Sequence, residues 1–321
     1  MPSSDEAGGR PAPAGRVIIL LATFNGGAYL NELIATFSAQ THQDWLVLWR
    51  DDGSSDDTVA LLEAFTADVG PARCRRLATP FAHLGAAASF LALLRAALPL
   101  LGPRDAVAFA DQDDVWLGDK LARGMAALGG VPAGRPALSC ARQYLVDAQL
   151  NLLGQSPAIR RPPGFPAALA QNIATGCTIL LNRPAAALVA GSAPPPTLLH
   201  DWWSYVLVTA AGGAVLVDPV PTVLYRQHGG NAVGAPAGLA GRARWAIRRG
   251  PGTFMRLFRD TLGALAARPE LLTQAARADV ARLRAALAGG RLRRLAALAM
   301  PGLSRQTVLE TWAFRLWFLL G

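Results

Sequence analysis

The sequence predicts an α/β fold, a mainly parallel sheet flanked by helices, with a helical region appended at the C-terminus. Three observations carry this. Short apolar runs alternate with helical patterns through residues 16–235, as in a sheet covered on both sides. Polar and acidic residues follow directly on three of those runs. From residue 240 the composition changes to Arg, Ala and Leu.

The elements follow in order. Val17–Ala22 is an apolar run of strand length, closed by the turn formers of Thr23-Phe24-Asn25-Gly26-Gly27. A helical pattern starts near Ala28. Trp45–Trp49 is the next strand and runs into Arg50-Asp51-Asp52-Gly53-Ser54-Ser55-Asp56-Asp57. A helix starts near Asp57 with Leu61, Leu62 and Phe65 on one face. Asp56 and Asp57 read as capping acids. Arg75–Ala78 is a weak strand, and Phe90, Leu93, Leu94 and Leu98 mark a helix. Val107–Ala110 is a strand, and Leu117–Leu128 a helix. Ala137–Val146 and Thr178–Leu181 are further strands. His200–Ala211 is a helix, and Val215–Val217 and Thr222–Tyr225 are short strands. Beyond Arg242 a helical segment is broken at Pro251, Pro269, Gly289-Gly290 and Pro301. The expected division is a lead-in over 1–15, a catalytic unit over 16–235 and an Arg-rich helical region over 236–321.

The most informative stretch is Phe109-Ala110-Asp111-Gln112-Asp113-Asp114-Val115-Trp116. It places three carboxylates at the carboxyl end of a buried strand, where open α/β sheets bind ligands. Like charges this close need compensation. A hard divalent cation, Mg²⁺ or Mn²⁺, that also holds phosphate oxygens would supply it. A solvated acidic turn is the plainer alternative. No G-x-G-x-x-G follows the first strand and no G-K-[ST] occurs anywhere, which argues against dinucleotide-binding and P-loop readings.

The charge of +9 is unevenly spread. Residues 1–239 carry a net −2, whereas residues 240–321 hold 15 Arg against four acids, a net of +11. Such asymmetry suggests an anionic partner for the tail, membrane or nucleic acid; solvated faces of amphipathic helices explain it equally well. Aromatic interleaving is sparse and no nucleic-acid motif is present, so no specific nucleic-acid partner is expected. Cys74, Cys140 and Cys177 are widely spaced and fit a reducing compartment. Met1–Arg16 lacks an apolar core and reads as a disordered lead-in. No apolar run of membrane-spanning length occurs. The expected location is cytoplasmic, at most peripheral on the inner face of the cytoplasmic membrane.

Several segments together resemble glycosyltransferase family 2, of GT-A fold. They are Leu20-Leu21-Ala22-Thr23-Phe24-Asn25-Gly26, Gln40-Thr41, Arg50 to Thr58, His83-Leu84-Gly85 and Asp111 to Trp116. Thr175-Gly176-Cys177, His200-Asp201-Trp202-Trp203 and Leu224 to Asn231 continue the series. The resemblance is nearest the bacterial rhamnosyltransferase-like branch. It implies an inverting, metal-dependent sugar transferase. The expected donor is a nucleoside-diphosphate sugar, dTDP-rhamnose first. The expected acceptor is a hydroxyl of a cell-surface glycan or lipid-linked glycan.

The resemblance also implies residue roles. Thr23, Asn25, Asp52, Gly85, Asp111 and Gly176 would line the nucleotide-sugar, with Asp52 on the base. Asp113 would bind the metal, shared with Asp114 and His228. Asp201 would be the catalytic base. Taken alone, Asp201 is also a favourable acid at a helix N-terminus, and His228 could be a structural histidine. A catalytically silent nucleotide-sugar-binding scaffold or sensor is the alternative from another class. In the tail, Arg242, Arg244, Trp245, Ile247, Arg248 and Arg249, with Trp312, Phe314, Trp317 and Phe318, suggest peripheral contact with an anionic membrane.

Overall fold

The structure is a computed structural model. It describes residues 15–78, 83–229 and 250–321, and the backbone alone of residues 238–249. The expected lead-in over residues 1–14 and the motif residue Asn231 lie outside the described residues. So do the side chains of Arg242, Arg244, Trp245, Ile247, Arg248 and Arg249.

In chain order the strands are β1 (Val17–Thr23), β2 (Trp45–Asp51), β3 (Cys74–Arg76), β4 (Ala106–Asp111), β5 (Val115–Trp116), β6 (Ala137–Val146), β7 (Leu152–Gln155), β8 (Leu180–Asn182) and β9 (Ala214–Arg226). The helices before the tail are α1 (Gly27–Ser38), α2 (Thr58–Val69), α3 (Ala86–Ala97), α4 (Lys120–Gly129), α5 (Ala167–Ala170), α6 (Arg183–Ala190) and α7 (His200–Ala210). The tail holds α8 (Gly238–Ala266), α9 (Gln274–Ala288), α10 (Arg291–Ala297) and α11 (Val308–Leu320).

One mixed sheet runs in the order β3-β2-β1-β4-β8-β6-β9-β5, with β7 on the side of β6. The half that carries the first acidic motifs is parallel: β1 pairs with both β2 and β4, and β2 with β3. β8 is antiparallel to both β4 and β6. This is the α/β architecture that the alternation predicts.

The parallel strands are apolar without interruption because both of their faces are covered. Along β1, Val17, Ile19 and Leu21 point into one core layer, with Leu30, Leu33 and Phe37 of α1. Ile18 and Leu20 point into the other, with Phe90 of α3 and Val206 of α7. The strand period of two thus divides one apolar run between two cores.

Two strand readings change. Val215–Val217 and Thr222–Tyr225 are one strand, β9. Its register against β6 shifts around Ala141 and Arg142, opposite the Asp218-Pro219-Val220-Pro221 stretch. Proline cannot donate to the ladder, so a bulge absorbs it. Thr178 belongs to a 3-10 turn, Gly176–Thr178, and its strand begins only at Leu180.

The tail helices share the core of the sheet. Met255, Phe258, Leu262 and Leu265 of α8, Val280 and Leu283 of α9, and Phe314 and Phe318 of α11 lie in the same buried cluster as Trp203 and Tyr205 of α7. The expected breaks occur. Gly250, at φ 69°, interrupts α8 just before Pro251. Thr273 caps α9 by accepting from the Ala276 amide at 3.2 Å.

Candidate active site

The parallel register brings three strand ends to one edge. Thr23 is the partner of Asp51, and Ala22 of Asp111. Four groups of side chains are built on that edge.

The first joins the loops after β1 and β2. Asp51 accepts from the amides of Gly53 and Ser54 at 2.9 and 2.8 Å, and from the Ser54 hydroxyl at 2.5 Å. The Thr23 hydroxyl donates to the same carboxylate at 3.1 Å. Asn25, at φ 49°, accepts from the Ser55 amide at 2.9 Å. Asp56 accepts from the amides of Gly27 and Thr58 at 2.9 and 3.0 Å, whereas Asp57, at the helix cap, makes no side-chain cap bond. The short polar residues here spend themselves on backbone donors, which is what holds an irregular loop rigid.

Asp52 heads the second group. It is buried, and Arg50 donates to it at 2.6 Å. The amides of Leu84 and Gly85 donate to its two oxygens at 2.6 and 2.7 Å. Burial opposes its charge, but Arg50 and the two amides outweigh burial and hold the carboxyl below its ordinary value. Asp52 therefore anchors the His83-Leu84-Gly85 loop. The His83 ring lies over Gly53, where an added Cβ would come within 3.2 Å of it. Phe24 meets His83 edge to face at 5.5 Å between ring centres. Gln112 clamps Phe24 from the other side, accepting from its amide at 2.8 Å and donating to its carbonyl at 3.0 Å. Exposed Phe24, with His83 and Gly53, makes a partly apolar rim at this edge.

The acidic loop forms the third group, and the predicted set Asp113, Asp114 and His228 divides in two. Asp113 and His228 meet at 2.7 Å. Asp114 is wholly buried instead, in a second group where its carboxylate, that of Asp111 and the Cys177 thiol lie within 4.8 Å of one another. One Asp114 oxygen accepts from the Arg226 amide at 3.2 Å, and among the described residues the other, near the Cys177 thiol, has no hydrogen-bond donor within range. Burial, then Asp113 and Asp201, push the Asp111 carboxyl up to about 7. Burial, then Asp111 and Asp113, push Asp114 well up too. Beneath them the Lys120 ammonium stands 3.5 Å over the Trp116 ring, with no hydrogen-bond acceptor among the described residues. Burial lowers it to about 7, against the pull of Cys177, Asp114 and Asp111.

The donor set fits a hard divalent cation. Asp113 and His228 offer a carboxylate and an imidazole at the partly open face, and the carboxyls of Asp111 and Asp114 lie behind them.

The fourth group lies at the start of α7. Asp201 accepts from the Trp202 amide at 2.6 Å and from the Asn172 side-chain amide at 3.0 Å. Burial raises its carboxyl to about 6. Gly176 leaves the room it needs: an added Cβ would come within 3.1 Å of the His200 ring and 3.5 Å of Asp201 Cβ. His200 itself is stacked on Phe90 at 3.9 Å, and burial lowers it to about 3, so it stays neutral.

Arg226, the last residue of β9, is a feature the sequence reading passed over. It is buried, donates to the Asp113 carbonyl at 2.8 Å, pairs with Glu32 and lies 4.5 Å over the Tyr29 ring. It ties the acidic loop to α1. The one available signal was the arginine closing an apolar strand. Lys120, the only lysine, was passed over in the same way.

The mixed sheet with helices on both faces and an acidic loop at the end of β4 is the architecture of a GT-A-type fold. Residues 18–146 match the model of Glycosyl transferase family 2. The chain is 25% identical over 221 residues to dTDP-rhamnosyl transferase RfbG of Shigella flexneri, covering 67% of this chain and 74% of that one. Among solved structures it is similar to TarS of S. aureus with UDP-GlcNAc (TM-score 0.57, 14% identity, 83% of this chain and 70% of that one). It is also similar to the mannosyltransferase PcManGT of Pyrobaculum calidifontis with GDP-Man and Mn²⁺ (TM-score 0.50, 17% identity, 95% and 88%). At these identities the structural likeness concerns the fold.

Proposed function

We propose that this protein is an inverting glycosyltransferase that moves a sugar from a nucleoside diphosphate to a hydroxyl of a cell-surface or lipid-linked glycan. The observation that carries the reading is the convergence of Asp201 and the acidic loop on one sheet edge. A Cβ at Gly176 would lie 3.5 Å from Asp201 Cβ, and the thiol of the next residue, Cys177, lies within 4.8 Å of the Asp111 and Asp114 carboxylates, so the two sites adjoin. dTDP-rhamnose ranks first as donor, supported by the similarity to RfbG.

In this reading Phe24, His83 and Gly53 bound the base, while Thr23, Asn25 and Asp52 hold the loops that carry it. Asp52 acts on the donor through the amides of Leu84 and Gly85. Asp113 and His228 would hold Mg²⁺ or Mn²⁺, which when bound supplies charge neutralisation at the diphosphate. Arg226 keeps the Asp113 backbone in place for that role. Asp201, ionised above its raised pKa, takes the proton of the acceptor hydroxyl. The acceptor oxygen bonds to the anomeric carbon as the bond from that carbon to the diphosphate oxygen breaks. The nucleoside diphosphate leaves with the electron pair. Attack opposite the leaving group inverts the anomeric centre and needs no enzyme nucleophile. Gly176 keeps the backbone low beside Asp201, where the acceptor would lie.

The work place we propose is the inner face of the cytoplasmic membrane, with the C-terminal region in peripheral contact. The test is a screen of dTDP, UDP and GDP sugars for divalent-cation-dependent release of the nucleoside diphosphate, with product anomers assigned by NMR. Transfer from one donor with inversion is the expected result. Tight donor binding without turnover under any condition would instead mark a silent scaffold.

A further inference from the structure

We infer that α11, with α10 beside it, is the surface that meets the bilayer, lying in the headgroup region of an anionic membrane. This deepens the peripheral contact proposed above and rests on it. Thr311, Phe314 and Phe318 of α11 are buried. On its opposite face Leu309, Trp312, Leu316 and Leu320 recur at spacings of three and four residues, a single stripe along the helix. All four are exposed: 77%, 63%, 54% and 64%. α10 adds Leu292 and Leu295, at 84% and 57%. Arg294 donates to the Leu319 carbonyl at 3.3 Å and fixes the two helices together. So many exposed large apolar side chains at one end of a molecule mark an interaction surface.

Charge decides the occupant. Arg291 and Arg293 flank Leu292 and are exposed, and Arg315 stands 5.5 Å from the Trp312 ring centre. Residues 291–320 hold five Arg against one Glu, a net of +4. A second copy would bring that charge against itself. Anionic headgroups complement it, and a tryptophan beside arginines suits the boundary between headgroups and acyl chains. Among the described residues no helix is long and apolar enough to cross a membrane, so α11 lies on the surface. The structure also changes which aromatics serve. Phe314 and Phe318 belong to the core, and only Trp312 of the four C-terminal aromatics is fully on the outside.

The test is co-sedimentation of the full chain, without donor, with vesicles of phosphatidylcholine alone and of an equimolar mixture with phosphatidylglycerol. Strong partition to the mixed vesicles, weakening with salt, is expected. Leu309→Gln with Leu316→Gln should cut the partition constant about tenfold or more. Arg291→Gln and Arg293→Gln should each cut it about fivefold. All four positions are exposed, and an unchanged melting temperature would verify the fold. Diphosphate release measured without vesicles should be untouched. If the wild type binds but the variants bind equally well, the membrane contact stands and its assignment to α10 and α11 falls. If the wild type pellets with neither vesicle, both fall. A concentration-dependent dimer, dispersed by the leucine substitutions, would make a second copy the occupant and overturn the inference.

Discussion

Asp113 and His228 are 115 positions apart in the chain and 2.7 Å apart in space. The loop after β4 supplies one and the end of β9 the other. Their contact is a carboxylate facing an imidazole. We expect Asp113→Asn and His228→Ala each to abolish tight Mn²⁺ binding in the presence of nucleoside diphosphate, read by calorimetry. Transfer should fall by several orders of magnitude, since several kcal/mol of charge stabilisation is lost (roughly, for a Lewis-acid site). Full turnover in excess EDTA would refute the assignment.

Asp201 gives a pH signature. Burial raises its carboxyl from the ordinary 3.8 to about 6. A base works only when ionised, so turnover should be low well below pH 6, rise through it and level off above. Asp201→Asn should remove that limb and lower turnover roughly 10²–10⁴-fold. Donor affinity should hold, because Asp201 contacts α7, Asn172 and Gly176 rather than the nucleotide rim. A variant retaining near wild-type turnover would place the base elsewhere.

Arg226 should matter for both stability and donor use. Its ion pair with Glu32 is half in solvent and contributes little by itself. Its buried hydrogen bonds to the carbonyls of Asp113 and Ala148 contribute more. Arg226→Gln should cost about 3 kcal/mol or more by chemical denaturation. Arg226→Lys should restore part of the stability, but leave the donor KM raised, since an ammonium cannot span both carbonyls and Glu32. Equal KM values for wild type and the lysine variant would remove Arg226 from any positioning role.

Gly53 tests the nucleobase rim. It sits at φ 94°, and an added Cβ would come within 3.2 Å of the His83 ring. Gly53→Ala should cost about 1–3 kcal/mol of backbone strain and displace His83. The donor KM should rise while the pH limb from Asp201 stays. An unchanged KM for every nucleotide sugar would show that the base binds elsewhere.

The parallel half of the sheet was legible because each strand is a continuous apolar run ending in a turn. Asp111 and Asp113 stood out because acids after a buried strand need a reason, whereas Asp201, in the first turn of a helix, was singled out by the family resemblance alone. What local pattern could not give was the side of the loop each acid takes. Asp113 and Asp114 are adjacent, yet one reaches His228 and the other goes into the core beside Cys177. That choice is made by β9, whose final arginine lies more than a hundred residues downstream. The same limit explains Asp52. Its partners, the amides of Leu84 and Gly85, are backbone groups and leave no trace in residue type. In α11 the sequence shows aromatic crowding, but only the helix phase separates Phe314 and Phe318 from Trp312.

The Arg-rich helices are built into the same core as the sheet, with Phe258, Leu262 and Phe318 in one cluster with Trp203 and Tyr205. This fixes what can be exchanged. The tail is no cassette that could be cut off at the end of β9 or traded between relatives to redirect the enzyme. Such a cut would leave α7, whose first turn carries Asp201, facing water along its apolar side. Any chimera that keeps the fold must import the facing residues of α6 and α7 together with the new helices, so the proposed docking surface and the proposed base have to change as one.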